Sequence, residues 1–337
     1  MTEYNAAHIQ VLEWPEAVRK RPGMYVGSTG ERGLHNAAYD VVEAAANEVL
    51  SGRATRVDVT LTADGGLRVG HDGTYPDGLT HALTVPASGY DRDLDRRCIA
   101  WGGTCLAATN ALSTRLDVRE HRDGTTVRHA YARGEQLTPP TGSDPVDGTV
   151  ITFHLDPEIF EGAALRYHLL ADHLRELAFL NRELDITLTD ERDTPPRAGR
   201  FHHPAGLIDF TTHLGGDPAQ TVTVETTDER MGGTLAVALS WTGHGGVHCY
   251  ANSRPMDGGT QLEGFRAGLA AALNRPDLPT GLTAVLSIKL DRLELEGATR
   301  RTLGNTPVHA CTAEAVQRAV ESWLAEHPQR AAELAGG

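Results

Sequence analysis

The chain has 337 residues, of which 40% are hydrophobic and 23% are charged, and its formal net charge is −14. This length accommodates two domains with sizeable cores, and the acidic excess argues against a surface built mainly to coat nucleic acid. No apolar run approaches membrane-spanning length and the N-terminus has no signal-peptide character, so the sequence predicts a globular, cytoplasmic protein.

One long helix organises the first half of the chain. In Leu34–Leu50 the apolar residues recur at spacings of three and four, which is typical of a helix that faces a core. Its opposite face carries Asp40, Glu43, Ala44, Asn47 and Glu48. Asp40 and Ala44 are one turn apart, so their side chains point the same way.

Alternating hydrophobic runs around turn signals predict a sheet after this helix. Arg56–Ala63 and Leu67–Gly73 form a hairpin signal around Asp64-Gly65-Gly66, and a second hairpin is predicted within Arg115–Gly134. Residues 74–103 have weak periodicity and predict a lid-like loop. The remaining predicted elements are the helices Pro15–Arg21, Cys105–Leu112 and Ala163–Asn181 and the strands Gly148–Asp156 and Asp185–Asp190.

A Pro- and Gly-rich join at Glu191–Gly206 predicts a domain boundary. Beyond it, alternating patterns predict the strands Thr221–Thr227, Thr234–Thr242, Gly246–Pro255 and Thr283–Leu290 and the helices Thr260–Asn274 and Ala313–His327. We therefore predict an N-terminal arm (1–15), a mixed-sheet domain with helices on one face (16–200) and a smaller α/β domain (201–337).

Seven segments, in order along the chain, resemble the ATPase components of bacterial type II topoisomerases, the gyrase B family. They are Glu16–Asn36, Ala54–Leu61, Gly148–Phe153, Leu174–Asn181, Leu188–Asp193, Asp257–Asn274 and Glu296–Val308. The resemblance implies an α+β fold, with a GHKL (Bergerat) ATPase-type sandwich followed by a transducer domain of ribosomal-S5-like fold. The family's DNA-cleaving domain has no counterpart in the sequence, so we do not expect a functional topoisomerase.

The resemblance also implies that the long helix faces a nucleotide site. In the family, this helix supplies a glutamate as general base and, one turn later, an asparagine that holds Mg²⁺; the matching residues are Asp40 and Ala44. The aspartate is one methylene shorter, and alanine has no atom that binds a metal. We therefore expect neither Mg·ATP hydrolysis nor a metal at this place. Asn47 and Glu48 on nearby turns either offer oxygen ligands or serve as solvated or capping residues. By family position, Glu43 and Asn47 belong to the ligand pocket.

The adenine-binding motif of the family departs in a similar way. His71 aligns with the aspartate that accepts the adenine amino hydrogen, and in an alternative register Asp72 takes this place. A neutral histidine offers one donor and one acceptor. Thr149 matches a threonine that backs the adenine site, and Arg128 matches an arginine at the pocket mouth. Together with Asp40, both His71 and Asp72 are candidate acid–base residues of a reshaped pocket.

Three other parts of the family's site have counterparts. Trp101, Gly102 and Gly103 lie in the segment that matches the phosphate-binding lid, and Arg300 takes the place of the transducer's lysine. In the family, the N-terminal arm embraces a partner copy and its tyrosine, here Tyr4, reaches the neighbour's nucleotide. The resemblance therefore implies a homodimer formed through the arm.

We derive three functional hypotheses from this pattern of a retained scaffold and an altered site. In the first, the pocket binds a different small molecule, with or without transforming it, and direct contact to nucleic acid or membrane is not expected. In the second, the chain is a pseudo-ATPase that regulates gyrase or binds gyrase inhibitors without catalysis. In the third, a residual ATPase uses Asp40 and Arg300.

Overall fold

The computed structural model describes residues 13–75, 79–85, 98–99, 106–138, 145–241 and 245–336. The chain divides into two units: residues 1–91, 101–174 and 185–201 form the first, and residues 92–100, 175–184 and 202–337 form the second. The division after Phe201 lies beside the predicted boundary at residue 200. Residues 175–184 precede that boundary but group with the second unit, because they pack on its sheet.

The first unit contains a large sheet and several helices. Its helices are α1 (Glu16–Lys20), α2 (Gly23–Val26), α3 (Glu31–Leu50), α4 (Leu79–Thr84), α5 (Leu106–Ala111) and α6 (Tyr167–Leu180), the last of which continues into the second unit. Its strands are β1 (Val57–Leu61), β2 (Leu67–His71), β3 (Ser113–Arg122), β4 (Thr125–Ala132), β5 (Glu135–Leu137), β6 (Thr149–Leu155), β7 (Ile186–Asp190) and β8 (Arg197–Phe201).

These eight strands form one mixed sheet in the order β5-β4-β3-β6-β2-β1-β7-β8. The pair β1–β7 is parallel and the other pairs are antiparallel, including both predicted hairpins, β1–β2 and β3–β4. Burial alternates along β1, where Val57, Val59 and Leu61 are fully buried. Helix α3 packs on β1 and β2, so the buried face of these strands is the one that carries the helix.

The long helix is more deeply buried than its amphipathic pattern predicts. It begins at Glu31, three residues before the predicted start, and every residue from Asp40 to Leu50 is buried. This stretch includes Asp40, Glu43, Asn47 and Glu48, which the sequence places on the polar face. Buried polar groups need partners, so the polar face of α3 is a candidate for a functional role.

The second unit contains a five-stranded sheet covered on both faces. Its elements are α7 (Leu207–His213), β9 (Val222–Asp228), β10 (Gly233–Ser240), β11 (Gly246–Ala251), β12 (Arg254–Met256), β13 (Gly258–Gly259), α8 (Thr260–Leu273), β14 (Thr283–Leu290), β15 (Leu295–Glu296), β16 (Thr302–Leu303), α9 (Thr306–Glu326) and α10 (Pro328–Gly336).

The order of this sheet is β12-β11-β14-β10-β9. Leu235 and Val237 of β10 belong to the core under α8 and α9, whereas Ala238 packs with Phe210 of α7 on the opposite face. Strands β11 and β14 are parallel neighbours with α8 between them in sequence, which is the connection typical of an α/β domain. Strands β13, β16 and β15 form a small separate sheet.

The predicted helix Ala313–His327 begins earlier, at Thr306, and two other predicted elements require correction. Residues 74–103 are not all loop, because α4 lies within them; its Leu79 and Leu83 are buried, and the Asn110 side chain donates to the Leu83 carbonyl (2.9 Å). Six residues are too few for a stable isolated helix, so this tertiary packing determines it.

The second correction concerns Gly246–Pro255, which is predicted as one strand but forms β11, a turn and β12. The turn residues Asn252 and Ser253 both have positive φ, 43° and 63°. Asparagine tolerates this conformation, and its side chain also bonds both the N–H and the carbonyl of Leu290 in β14. Among the helices of the described residues, none is long and apolar enough to cross a membrane.

Candidate functional site

Three polar residues form a row across the central strands of the first unit. Thr149 of β6 is paired with His71 of β2 on one side and with Glu120 of β3 on the other. Directly paired residues of antiparallel strands project from the same face. Val57 of β1, which is paired with His71, is fully buried on the face that α3 covers. The polar residues are buried too, with His71 4% exposed, Thr149 0% and Glu120 3%. The row is therefore a buried polar site.

The two nitrogens of the His71 ring differ in their hydrogen bonding. Its Nδ1 accepts a hydrogen bond from the Gly73 N–H (3.3 Å). Its Nε2 is buried and has no hydrogen-bond partner among the described residues. Burial is the main cause that lowers the pKa of His71, and the positive charge of Arg53 adds to it, against the opposing effect of Glu48 and Asp72. The ring is therefore neutral at pH 7.

Tyr75 closes one side of this row. Its ring stands edge-on to the His71 ring, with 5.2 Å between the centroids, and its N–H donates to Glu120 Oε1 (3.2 Å). The hydroxyl is buried and makes no hydrogen bond to a described residue. Burial raises the pKa of Tyr75, and the nearby carboxylates of Glu48 and Glu120 raise it further. The phenol therefore remains protonated and can both donate and accept a hydrogen bond.

A salt bridge at the end of α3 lies near both rings. Arg53 Nε and Nη2 donate to the two carboxylate oxygens of Glu48, at 2.6 and 2.9 Å. The Glu48 side chain is 5% exposed, whereas that of Arg53 is 42% exposed. The loop after β2 passes very close to the segment that follows α3. The measure of this closeness is that a Cβ added to Gly73 would lie 2.3 Å from the Arg53 carbonyl oxygen. The Thr149 hydroxyl fixes the crossing by donating to the Gly73 carbonyl (3.0 Å).

The predicted pocket residues of α3 do not all face this row. Asp40 and Asn47 are buried at 5% and 6% exposure, and Ala44 is buried one turn after Asp40. Glu43 faces α6 instead: its Oε1 lies 3.2 Å from His173 Nε2, and the His173 ring stacks on Tyr39 (3.8 Å between centroids).

The helix position that holds the Mg²⁺ ligand in the family does not fit Mg²⁺ in this chain. Ala44 brings only a methyl group, and the described residues contain no group of three His, Cys, Asp or Glu side chains that could hold a metal ion.

The Asp72 carboxylate and the Arg128 guanidinium make their hydrogen bonds to residues outside the row. The Asp72 carboxylate accepts from the N–H (2.7 Å) and the hydroxyl of Thr55. Burial alone would raise the pKa of Asp72, but these hydrogen bonds outweigh it and hold the pKa below its usual value. Arg128 is paired with Arg119, so it projects from the opposite face to Glu120, and its Nη2 lies 2.6 Å from Asp117.

The remaining predicted ligand residues belong to the second unit or lie outside the described residues. Arg300 belongs to the second unit, in the exposed turn between β15 and β16. Tyr4, Trp101, Gly102 and Gly103 lie outside the described residues, as do residues 1–12 of the predicted arm.

Sequence reasoning missed Arg53, Tyr75 and Glu120. For Glu120 a signal was available, because Leu116, Val118 and Glu120 alternate along β3 and a charged residue at the third inward position is unusual. Arg53 follows the end of α3 and Tyr75 follows the end of β2. Only the tertiary structure shows that these two segments pack against each other.

We expect Tyr75→Phe to raise the free energy of unfolding by about 1 kcal/mol, because it removes a buried hydroxyl without a hydrogen bond. Tyr39→Phe in the same unit is the matched control, since the Tyr39 hydroxyl donates to the Leu169 carbonyl (3.1 Å). This control should lower the free energy by about 1 kcal/mol. Urea unfolding of the three proteins measures both changes, and destabilisation by Tyr75→Phe would show that its hydroxyl has a partner.

We expect His71 to make unfolding pH-dependent. The folded-state pKa of His71 is lowered from 6.5, mainly by burial, so below pH 6.5 the unfolded state binds a proton that the folded state does not. The contribution to stability is complete above pH 6.5 and is lost as the pH falls. His35 and His203 are also shifted down by burial, so the test is the difference between wild type and His71→Gln across pH 5–8. The variant should show the shallower slope, and equal slopes would contradict the expectation.

Comparison with known proteins finds similarity to gyrase B along most of the chain. A family model described as DNA gyrase B matches residues 206–336. The chain is 34% identical to the DNA gyrase B protein of Mycobacterium tuberculosis over 97% of its length, and 34% identical to that of Streptomyces coelicolor over 98%. It spans 58% and 56% of the lengths of these two relatives.

Solved structures give the same result for the fold. The 43K ATPase domain of Thermus thermophilus gyrase B, in complex with an aminocoumarin, matches with a TM-score of 0.75 and 28% identity over 95% of this chain and 92% of that chain. The gyrase B structure from Myxococcus xanthus matches with a TM-score of 0.77 and 24% identity over 95% and 98% of the two chains. These similarities confirm the predicted α+β class with a GHKL ATPase-type domain.

Proposed function

Because the chain belongs to the DNA gyrase B family, we propose that it uses the ATPase and transducer scaffold of that family to bind a small molecule other than Mg·ATP. The observation that carries the proposal is the buried row of His71, Thr149 and Glu120, in which His71 Nε2 has no partner among the described residues. A buried polar atom without a hydrogen bond costs free energy, and a ligand that supplies the missing partner recovers it.

The α3 residues support the loss of nucleotide chemistry. Stabilisation of the charge on transferred phosphate depends on a metal ion, and Ala44 provides no ligand for one. The carboxylate of Asp40 is buried and one methylene shorter than the family's glutamate, so a water placed for the longer residue lies out of its reach. The scaffold would then serve binding, with any acid–base step assigned to neutral His71 and to Asp40.

A ligand screen by thermal unfolding tests this proposal. Wild type, His71→Ala and the exposed-site control His121→Ala are each unfolded with a panel of metabolites, nucleotides and nucleobases, with Mg·ATP included. A ligand at 100 times its Kd should add about 2.7 kcal/mol to wild type and to His121→Ala and much less to His71→Ala. If the panel stabilises nothing, or stabilises all three proteins equally, the proposed pocket function is wrong.

A second candidate function is inhibitor binding without catalysis. It is favoured by the similar Thermus thermophilus domain, whose structure contains an aminocoumarin, and by the retained, fully buried Thr149. An aminocoumarin in the same screen separates the two functions, because stabilisation by this compound and by no metabolite would favour the second.

We also propose that the chain forms a homodimer through its N-terminal arm, by analogy with the family. Light scattering on the full chain and on a variant lacking residues 1–12 tests this assembly. A dimer that becomes a monomer without the arm supports it, and a full-length monomer rejects it.

A further inference from the structure

We propose that Lys289 is a reactive amine that binds small neutral aldehydes covalently, as an imine, in a cavity of the second unit. The site uses none of the residues of the row in the first unit, so this inference goes beyond the proposed function and does not depend on it. It follows from the shape of the cavity, from the hydrogen bonding of the amine and from the charges around it.

The cavity lies on the face of the five-stranded sheet that is opposite α8 and α9. Ser287 and Lys289 of β14 form part of its floor, beside Ala236 of β10, which is paired with Ser287. The end of α6, the turn after it and the start of α7 form the walls. The volume is about 150 Å³, and a cavity of this volume accommodates a molecule the size of benzene.

The hydrogen bonding of the Lys289 amine favours its neutral form. Its Nζ donates to Asn181 Oδ1 (2.7 Å). Asn181 is 1% exposed and its Nδ2 donates to the Leu177 carbonyl (2.9 Å), so the amide turns its oxygen toward the lysine. A desolvated ammonium group needs an acceptor for each of three hydrogens, whereas a neutral amine has two hydrogens and a lone pair. With one protein acceptor in place, the neutral amine fits better, and its lone pair is the nucleophile.

The surroundings of Lys289 act in the same direction. Burial is the main cause that lowers the pKa of Lys289, and the positive charge of Arg182 adds to it. Glu183, Cys98 and Glu225 oppose this shift without outweighing burial. Glu225 pairs with Arg182 (2.8 Å). A lysine in such a place has a larger neutral fraction at pH 7 than a solvated one, which is the property of lysines that form Schiff bases.

Imine formation at Lys289 requires only the amine and the aldehyde. The nitrogen lone pair attacks the carbonyl carbon and makes a C–N bond. Both amine hydrogens pass to the carbonyl oxygen, which leaves as water, and a C=N bond remains. Addition of a proton from solvent gives the iminium ion, whose N–H can donate to Asn181 as the amine does. The carboxylates of Glu183 and Glu225 favour this positive charge.

The groups around the amine also decide the class of ligand. Arg182 and Glu225 largely cancel each other, and the Glu183 carboxylate disfavours a ligand that is itself an anion. Ser287 is 4% exposed and lies two residues before Lys289 on the same face of β14, so its hydroxyl can donate to a carbonyl oxygen. Apolar side chains of α6 and α7 also line the cavity. The complementary ligand is a neutral aldehyde with a short apolar chain.

The test uses the fact that Lys20 and Lys289 are the two lysines of the chain. The full chain is incubated at pH 7 with butanal and cyanoborohydride, which reduces the imine to a stable secondary amine, and peptide mass spectrometry gives the rate at each lysine. Lys20 is exposed and Lys289 is partly buried, so access alone favours Lys20. We expect Lys289 to react about tenfold faster, because only the neutral amine is nucleophilic. Equal rates, or faster modification of Lys20, would overturn the proposal.

A filled cavity tests whether the reaction occurs at this place. Ala236→Leu puts a larger side chain beside Ser287 and should abolish the preference for Lys289 over Lys20. Ala271→Leu, at an exposed position of α8, is the matched control and should keep the wild-type preference. A preference that survives Ala236→Leu would overturn the assignment of the reaction to the cavity.

Butanoate tests the ligand class in wild type, without any substitution. This carboxylate has the same number of carbon atoms as butanal. Added in excess over the aldehyde, it should leave the rate at Lys289 unchanged, because Glu183 disfavours an anion there. A slower rate at Lys289 in the presence of butanoate would identify an anion site and overturn the assignment to neutral aldehydes.

Discussion

Replacing Gly148 by alanine is expected to lower the free energy of unfolding by about 3–4 kcal/mol. Gly148 has a φ of +80°, and an alanine Cβ there would lie 2.1 Å from the His71 carbonyl oxygen. That oxygen belongs to the backbone at the end of β2, so the overlap is relieved only by moving β6 away from β2. Thr149 is the next residue, and His71 and Thr149 would separate with the strands.

Gly124→Ala is the matched control for this substitution. Gly124 has nearly the same φ, +78°, but apart from its two chain neighbours no described residue has an atom within 4 Å of a Cβ built there. The free energy of unfolding of Gly124→Ala should fall only by the cost of holding alanine in the left-handed backbone conformation, about 1 kcal/mol. Chemical unfolding of both variants separates backbone strain from close approach. Equal losses for Gly148→Ala and Gly124→Ala would contradict the close approach of β6 to His71.

Arg53→Met is expected to lower the free energy of unfolding by about 2 kcal/mol and to raise the pKa of His71. The substitution leaves the carboxylate of Glu48, which is 5% exposed, without its bidentate partner. Breaking a fully buried salt bridge lowers the free energy of unfolding by more than this. The loss is smaller here because Arg53 is 42% exposed and solvent screens part of its charge. Burial chiefly lowers the pKa of His71 and the Arg53 charge adds to this, so removal of the charge shifts that pKa upward.

The control for Arg53→Met is Arg56→Met, three residues further along the chain. Arg56 lies 3.5 Å from Asp58 and 3.8 Å from Asp72, and its own side chain is about half exposed, so these two contacts together should contribute less than about 1 kcal/mol. Urea unfolding gives the stabilities and histidine NMR titration gives the pKa. An unchanged His71 pKa in Arg53→Met would show that the salt bridge does not belong to the His71 site.

The elements that local patterns determine could be predicted from the sequence. The β1–β2 hairpin follows from two alternating runs around Asp64-Gly65-Gly66, and α3 follows from its apolar spacing. Helix α4 could not be predicted in the same way, because its six residues depend on packing and on the hydrogen bond from Asn110. The Asn252-Ser253 turn was missed because its flanking residues continue the alternating pattern through it.

The candidate site could be predicted only in part. His71 and Thr149 follow from their positions in the family motifs, and the register of β2 and β6 confirms that they are neighbours. The register also separates Arg128 from them, because a shift of one residue along a strand reverses the face. Tyr75 joins the site through a loop that passes within van der Waals distance of Arg53, and no local pattern encodes such a crossing.

The most direct test of the central claim is the rate of Mg·ATP hydrolysis by the purified chain and by Asp40→Ala at equal concentration. We expect both rates to equal the rate in buffer without protein, because Ala44 cannot hold the metal that the reaction needs. A rate above that background in the wild-type chain, abolished by Asp40→Ala, would refute the loss of ATP hydrolysis and identify the site as a working ATPase.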